Sequence, residues 1–166
     1  MRAVLLLCDT GVLADRLDMA WAIGHAYSQG EYLVAVRLHE LTRHAAGPSV
    51  DARAAIQHAS ALSWLDRLEE AEVAFNDARG QCRTANEWAL LVSCWGTHLA
   101  YRRFDVAAAV ELAQQCRPHL GTAEQALLGP ELRTWMTLLG VDSSDELAAA
   151  ARPRSEANDP AVAVRA

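Results

Sequence analysis

Lysine is absent from this chain, which carries 15 arginines against 21 acidic residues and a net charge of −6 over 166 residues. Binding to nucleic acid without sequence preference requires a basic surface that displaces counterions, so this charge argues against such binding. Arginine in the complete absence of lysine is typical of a GC-rich bacterial genome. We therefore expect a bacterial protein that makes no direct contact with nucleic acid.

Cysteine is scarce and widely spaced, and long apolar runs are missing. The four cysteines, Cys8, Cys82, Cys94 and Cys116, form no Cys-x-x-Cys pair, so a zinc knuckle or thioredoxin-like site has no support. The apolar start of the chain spans about five residues, against the roughly seven to fifteen of a secretory signal. These absences predict a cytoplasmic protein with free thiols and no membrane segment.

Residues that form strands are also few. The chain has only 3 Tyr and 2 Phe, although 52% of it is hydrophobic, because alanine and leucine supply most of the apolar side chains. These two residue types favour helices, so we predict an all-α fold. The length suits one domain, which we place at residues 1–152. Residues 153–166 are rich in proline and charge and are predicted to form a disordered tail.

Three sets of residues recur at steps of 36 along the chain, which is the signature of a repeat. One set is bulky and apolar, and each member is followed three positions later by alanine. The bulky set is Tyr32, Leu68 and Phe104, and the alanines are Ala35, Ala71 and Ala107. A set of small residues precedes them, namely Gly24, Ser60 and Gly96. Three sets in one register predict three repeated units.

Each unit reads as two helices separated by a short polar break. Apolar residues upstream of the break have helical spacing, as in Val92, Trp95 and Leu99. We expect the small residues to let the second helix of a unit approach the first. We expect the bulky residue to open the second helix and to fill the wedge toward the next unit. Residues 1–9 fall in the register of a second helix, which suggests an earlier unit in a longer protein.

The pattern resembles that of the tetratricopeptide repeat family over roughly residues 12–117. The clearest match runs from Ala59-Ser60 through Leu68-Glu69-Glu70-Ala71 to Phe75 and Ala78. The step of 36 is two residues longer than the family's usual 34. The resemblance implies a solenoid of antiparallel helix pairs with about three units. Residues 122–140, which are predicted to be helical with a break at Gly129-Pro130, would form a C-terminal helical cap.

The resemblance also implies a concave groove lined by the first helices, and with it a function. We predict a non-catalytic module that binds a protein or peptide partner in this groove. We refer to its expected lining as the predicted groove: Trp21, His25, Ser28, Gln57, Trp64, Ser93, Thr97 and Tyr101. One alternative is the sensor domain of a bacterial transcription regulator that binds a peptide or small signal. Another is self-association as a homodimer through Trp135 or Leu139 of the cap.

Histidines and charged runs are weaker candidates for chemistry. His39 and His44 resemble a zinc-protease motif, but their i, i+5 spacing places them about 140° apart on a helix. They cannot bind one metal ion, and we expect both at the surface. Glu69-Glu70 suits a helix start, and Arg102-Arg103 suits a solvated turn, with capture of an acidic peptide end as an alternative. We expect no catalysis, no metal and no cofactor.

Overall fold

The computed structural model describes residues 16–46 and 51–140, which are helical and contain no strand. The all-α prediction is confirmed for this part of the chain. The predicted helix at residues 1–9 and the predicted tail at residues 153–166 lie outside the described residues.

Seven α-helices follow one another in the described ranges. They are α1 (Arg16–Ser28), α2 (Tyr32–Ala46), α3 (Ala52–Trp64), α4 (Leu68–Arg79), α5 (Ala85–Thr97), α6 (Val106–Cys116) and α7 (Thr122–Leu138). A turn of π-helix, His98–Arg102, extends α5. Asp51 caps the start of α3, and Thr84 with Glu87 forms a capping box at α5. These side chains satisfy amide groups that a helix start leaves without partners.

The helices form three pairs, in which we call α1, α3 and α5 the first helices and α2, α4 and α6 the second helices. Each first helix contacts its own second helix and the next first helix, and each second helix contacts the first helix that follows it. The last helix, α7, contacts α5 and α6 as a fourth first helix would. The central helix α3 is the most enclosed, with 10 of its 13 residues buried.

Each first helix is followed by a residue with left-handed backbone, which lies two positions before the second helix begins. These residues are Gly30 (φ 74°), Asp66 (φ 61°) and Phe104 (φ 57°). In the first pair the amide of Glu31 donates to the carbonyl of Ala26, which closes a Schellman turn. The turn satisfies the last carbonyls of one helix and sends the chain back along the next.

The third of these turns is longer, and the predicted register fails there. The amide of Asp105 donates to a carbonyl six residues back, instead of five, because of the π turn. Helix α6 consequently begins at Val106, and Ala109, not Ala107, is the buried counterpart of the alanines in α2 and α4. The prediction that Phe104 opens the helix and fills a wedge is wrong, since this side chain is 85% exposed.

The small residues of the repeat make room for neighbouring first helices, whereas the sequence predicts that they admit the second helices. A Cβ placed on Gly24 would lie 3.1 Å from Oε1 of Gln57 in α3. Gly96 receives the indole of Trp135 from α7, and a Cβ there would lie 2.8 Å from Cζ3 of that ring. Helix α7 can therefore seat its largest side chain on α5 only because position 96 is glycine.

Helix α7 runs through Pro130 without the predicted break. Proline has no N–H, so the carbonyl of Ala126, four residues earlier, loses its helical partner. Ala126 is exposed, so water can reach that side of the helix. On the opposite side Trp135 and Met136 are buried, and this packing keeps the helix continuous.

Candidate functional site

The aromatic residues of the predicted groove are all substantially exposed. Trp21 on α1 is 65% exposed, Trp64 at the end of α3 is 45% exposed, and Tyr101 in the π turn is 46% exposed. The Trp21 ring stacks on exposed His25 with the ring centroids 5.1 Å apart. Ser28 is also exposed and donates to the carbonyl of His25. The first helices therefore present aromatic surface that the core does not use.

Two polar residues of the predicted groove, Gln57 and Ser93, are engaged between helices. Gln57 lies against Gly24, and its Oε1 atom is buried without a hydrogen-bond partner among the described residues. Ser93 is half-buried and donates to Oε1 of Glu131 at 2.9 Å, which links α5 to α7. Thr97, one turn further along α5, is half-buried. Gln57 and Ser93 thus line contacts between first helices.

A small polar network connects three first helices. The hydroxyl of Tyr27 on α1 lies 2.8 Å from the hydroxyl of Ser60 on α3. Burial raises the pKa of the Cys94 thiol on α5 to about 11, although hydrogen bonding to Ser60 and Tyr27 acts in the opposite direction. The thiol is therefore protonated at neutral pH and is a poor nucleophile, since the thiolate is the reactive form.

Glu131 extends this polar line onto α7. Its Oε1 accepts the hydrogen bond from Ser93, whereas its Oε2 is buried and has no hydrogen-bond partner in the described part of the chain. The side chain as a whole is half-buried. Glu131 also acts electrostatically on Cys94 and raises the pKa of that thiol. Oε2 is one of eight buried side-chain atoms that lack a hydrogen-bond partner among the described residues, so this feature alone does not mark a site.

Trp64 is held in position by the turns on either side of it. Its ring stacks on Tyr32 with centroids 5.9 Å apart, and the guanidinium carbon of Arg102 lies 5.6 Å from its centroid. Arg102 in turn forms an ion pair with Asp66. An exposed aromatic ring that is already fixed loses little conformational entropy when a partner binds it.

The arginines of the third turn are both neutralised within the chain. Arg102 pairs with Asp66, and Arg103 pairs with Glu72 at 2.8 Å and with Glu69 at 3.4 Å. These contacts tie the third turn to α4 and the turn before it. The idea that this turn captures an acidic peptide end therefore loses its basis, because its two cations are already paired.

His39 is buried, so the expectation that it lies at the surface is wrong. His39 on α2 stacks on His58 of α3 with centroids 3.9 Å apart, and the two residues are 6% and 9% exposed. Burial is the main cause that lowers the pKa of His39 to about 4 and that of His58 to about 3. Both rings are therefore neutral at pH 7. The side chain of His44 lies outside the described residues.

Position 39 corresponds to position 75 in the next pair, where the aromatic contact is apolar. Phe75 stacks on Trp95 of the following first helix with centroids 5.6 Å apart. The stacked histidines therefore pack the first helix pair against the second, as Phe75 and Trp95 pack the second helix pair against the third. No sequence motif marks His39 and His58 as partners.

A third buried histidine, His98, forms a Ser-His-Glu arrangement. Oγ of Ser63 lies 2.8 Å from Nδ1 of His98, and Nε2 of His98 lies 3.7 Å from Oε1 of Glu72. Ser63 is 4% exposed and His98 is 1% exposed. A nucleophilic serine must reach its substrate, so this buried hydroxyl is suited to joining α3 and α5 and not to hydrolysis.

Neither a metal centre nor a membrane span emerges from the described helices. Within residues 16–46 and 51–140, no group of three or more His, Cys, Asp or Glu side chains is arranged to hold a metal ion. None of the described helices is long and apolar enough to cross a membrane. Comparison with protein-family models, with curated proteins and with solved structures finds no match to this chain.

The residues that sequence reasoning missed are those that join the first helices to one another. The sequence pattern places Ser60 at a small position of the repeat and Tyr27 on the apolar face of a helix, and it gives Glu131 no role. The spacing offers no signal for Glu131, because positions 131 and 132 carry Glu and Leu where the 36-residue register has an apolar and a small residue.

Proposed function

We propose that this chain is a non-catalytic module that binds a protein or peptide segment on its first helices, within a solenoid of the tetratricopeptide type. The observation that carries the proposal is the exposure of Trp21, Trp64 and Tyr101, one from each of three successive first helices or their extension. A repeated structure that presents one aromatic per unit offers a series of anchor points. Tryptophan and tyrosine are enriched among residues that dominate binding energy.

The burial pattern of the possible reactive groups supports binding over catalysis. Ser63, His98 and the His39–His58 pair are enclosed, and the Cys94 thiol is held in its protonated form. The exposed positions carry aromatic and small polar side chains instead. The free thiols Cys82, Cys94 and Cys116 fit our expectation of a reducing, cytoplasmic setting.

Selection from a random dodecapeptide library displayed on phage, with the full chain as target, tests this function. Enriched peptides are synthesised, and their dissociation constants are measured against the wild type, Trp21→Ala and the control Leu33→Ala. Leu33 lies on the second helix α2 and is 68% exposed, close to the 65% of Trp21. We expect Trp21→Ala to weaken binding at least about tenfold, as loss of a hot-spot aromatic does, while Leu33→Ala changes little. Failure to enrich any peptide, or equal effects of both variants, would contradict the proposal.

Self-association is a second candidate, and the outer surface of α7 favours it. Leu127 is 73% exposed, Leu138 is 58% exposed and Leu139 at the end of the helix is 41% exposed. Trp135, by contrast, is 1% exposed and belongs to the core, so it is not available to a second copy. Sedimentation of the full chain over a hundredfold concentration range, compared with Leu127→Glu, would reveal a dimer that uses this surface.

A further inference from the structure

Exposed apolar side chains cluster at the turns that follow α3, α5 and α7. Gly140, with φ 71°, follows α7 as Asp66 follows α3 and Phe104 follows the π turn of α5. Of the nine large apolar side chains that are exposed among the described residues, five lie within three positions of these turn residues. We call these five the turn surface: Trp64, Tyr101, Phe104, Leu138 and Leu139. Because exposed turns usually carry polar residues, an apolar cluster there indicates an interaction surface.

The turns that follow α3 and α5 are in direct contact. Arg102 forms an ion pair with Asp66, and its guanidinium carbon lies 5.6 Å from the centroid of the Trp64 ring. Arg103, the next residue, pairs with Glu69 at 3.4 Å. Trp64 therefore lies on the same edge of the molecule as the turn that follows α5.

The end of α7 lies on this edge as well. Ser93 of α5 contacts Glu131 of α7. Gly96, three residues further along α5, receives the ring of Trp135, four residues further along α7. The two helices therefore run in the same direction, and the end of α7 at Leu138 lies beside the π turn that ends α5.

Phe104 combines two unfavourable features. Its backbone is left-handed, with φ 57°, which disfavours a residue with a bulky side chain, and its ring is 85% exposed. It also follows a π turn, an irregularity that is frequent at functional sites. The ion pairs of Arg102 and Arg103 hold this turn in place. Glycine would suit the turn better, so a strained and exposed phenylalanine indicates a role for the ring outside the fold.

The spacing of the turns favours a helix as the occupant of this surface. Packed helices lie about 8–10 Å apart, and α3, α5 and α7 pack in succession, so neighbouring turns repeat at about this interval. Residues seven positions apart on a helix share one face and are separated by about 10.5 Å. Residues on one face of an extended segment are separated by about 6.6 or 13 Å. A helix that crosses the turns can therefore place one apolar side chain against each turn, whereas an extended segment cannot.

The charges near the turns indicate the flanks of this helix. Asp66 and Glu69 are 81% and 82% exposed, and the chain carries a net charge of −6. These charges favour basic flanks and disfavour an anionic membrane surface. Every arginine within four residues of the turn residues pairs with a carboxylate of the chain, so an acidic segment gains little: the pairs are Arg67–Glu70, Arg102–Asp66 and Arg103–Glu69.

We propose that the turn surface binds an amphipathic helix of a partner protein, with apolar residues at seven-residue spacing, basic flanks and Phe104 as the main anchor. The surface adjoins the predicted groove at Trp64 and Tyr101 but does not include Trp21, so it is a second binding surface beyond the function proposed above. The strained backbone at position 104 is retained because the partner requires the ring.

A phage library of helical peptides tests the inference, with the full chain as target. The peptides have about 21 residues, which span about 30 Å, and are randomised along one face and its flanks. Selections run in parallel on the wild type and on Phe104→Gly. We expect only the wild type to enrich peptides with apolar residues at seven-residue spacing and lysine or arginine beside them.

Dissociation constants of the enriched peptides then assign the contact. They are measured for the wild type, Phe104→Gly, Leu138→Ala and the control Val73→Ala. Val73 on α4 is 64% exposed and lies outside the turn surface. We expect Phe104→Gly to weaken binding at least about tenfold without lowering the thermal midpoint, Leu138→Ala to weaken it less, and Val73→Ala to change little.

The outcomes separate this inference from the proposed function. Helical peptides that depend on Trp21 but bind Phe104→Gly normally would overturn the inference and leave the proposed function standing. Failure to enrich any helix would do the same, because the dodecapeptide library tests the predicted groove. A thermal midpoint of Phe104→Gly below that of the wild type would show that the ring stabilises the fold, and would overturn the inference. Binding to phosphatidylcholine vesicles, or dimerisation, that disappears in Phe104→Gly would also overturn it, because the surface would then serve a membrane or a second copy.

Discussion

Replacing the stacked histidines with phenylalanine should make the fold less sensitive to acid. The variant His39→Phe/His58→Phe keeps two aromatic rings at the contact between α2 and α3, as Phe75 does at the equivalent position of α4. It removes two groups that are neutral in the fold and become charged in the unfolded chain as the pH falls. The larger phenyl rings also change the packing, but that change acts equally at every pH, so the pH dependence reports the loss of the two titratable groups.

The sign of the effect follows from the pKa values. In the folded chain the pKa of His39 is about 4 and that of His58 is about 3, whereas an unfolded histidine titrates near 6.5. Between these values the unfolded chain binds more protons, so the free energy of unfolding decreases as the pH falls. One pKa unit corresponds to about 1.36 kcal/mol, so the two residues together contribute on the order of several kcal/mol of acid sensitivity between pH 6.5 and pH 3.

Nearby arginines lower the pKa of His39 and His58, as burial does. Arg43 lowers the pKa of both histidines, and Arg67 lowers that of His58, while Glu70 opposes this weakly. Removal of the exposed cation in Arg43→Gln should therefore raise the pKa of both rings slightly. Burial remains the dominant cause, so this change should be small beside that of the double variant.

Urea unfolding followed by circular dichroism at pH 7, 6, 5 and 4 measures the effect. We expect the free energy of unfolding of the wild type to fall by several kcal/mol more than that of the double variant over this range. The comparison cancels the carboxylates, which both proteins share. Imidazole proton resonances of the wild type, followed by NMR, provide a measurement that needs no variant. The reasoning would be refuted if the free energy of unfolding had the same pH slope in both proteins, or if the resonances of His39 and His58 titrated near pH 6.5.

The remaining predictions concern backbone and packing. Gly96→Ala should destabilise the fold by about 1–3 kcal/mol, because its Cβ would meet the ring of Trp135. Gly24→Ala at the equivalent repeat position should cost less, because only the end of the Gln57 side chain has to move and alanine favours the helix. Thermal melts of the two variants check this, and a loss in Gly24→Ala as large as that in Gly96→Ala would count against it. Phe104→Gly should raise the melting temperature, since left-handed backbone costs a side-chain-bearing residue roughly 1–2 kcal/mol and the ring is 85% exposed; a lower melting temperature would show that the ring makes a stabilising contact. Thr84→Ala should cost about 1 kcal/mol through loss of the capping box, and unchanged stability would show that the cap is dispensable.

The helical class and the positions of the first two pairs could be predicted because they depend on local features. Neighbouring residues are enough to show the alanine and leucine content, the helical spacing and the breaks near Gly30 and Asp66. Tyr32 and Leu68 begin α2 and α4, as the repeat predicts. Local signals therefore suffice wherever the repeat keeps its step of 36.

The third pair shows where such reasoning fails. The π turn adds two residues between Gly96 and the start of α6. The 36-residue register that holds in α5 therefore no longer holds in α6. Phe104 looks like the bulky residue of the repeat, but it occupies the place of Gly30 and Asp66 in the turn. A π turn has no recognisable sequence signal, because its energy depends on how the flanking helices pack.

The candidate site was predictable only in part for a similar reason. Exposure of Trp21 follows from its position on the free side of α1, which helical spacing can locate. Burial of His39 and the contact of Glu131 with Ser93 depend on which helices meet, and the sequence pattern does not show that α7 packs beside α5. Long-range contacts between side chains leave no trace in spacing along the chain.

Hydrogen exchange of the full chain with and without a selected peptide tests the central claim most directly. If the first helices bind the partner, amide protection should increase in α1 and in α5 with its π turn, while α2 and α4 change little. The same peptide should give clearly less added protection in Trp21→Ala at a concentration that just saturates the wild type. Protection confined to the second helices, or to the outer surface of α7, would contradict the account.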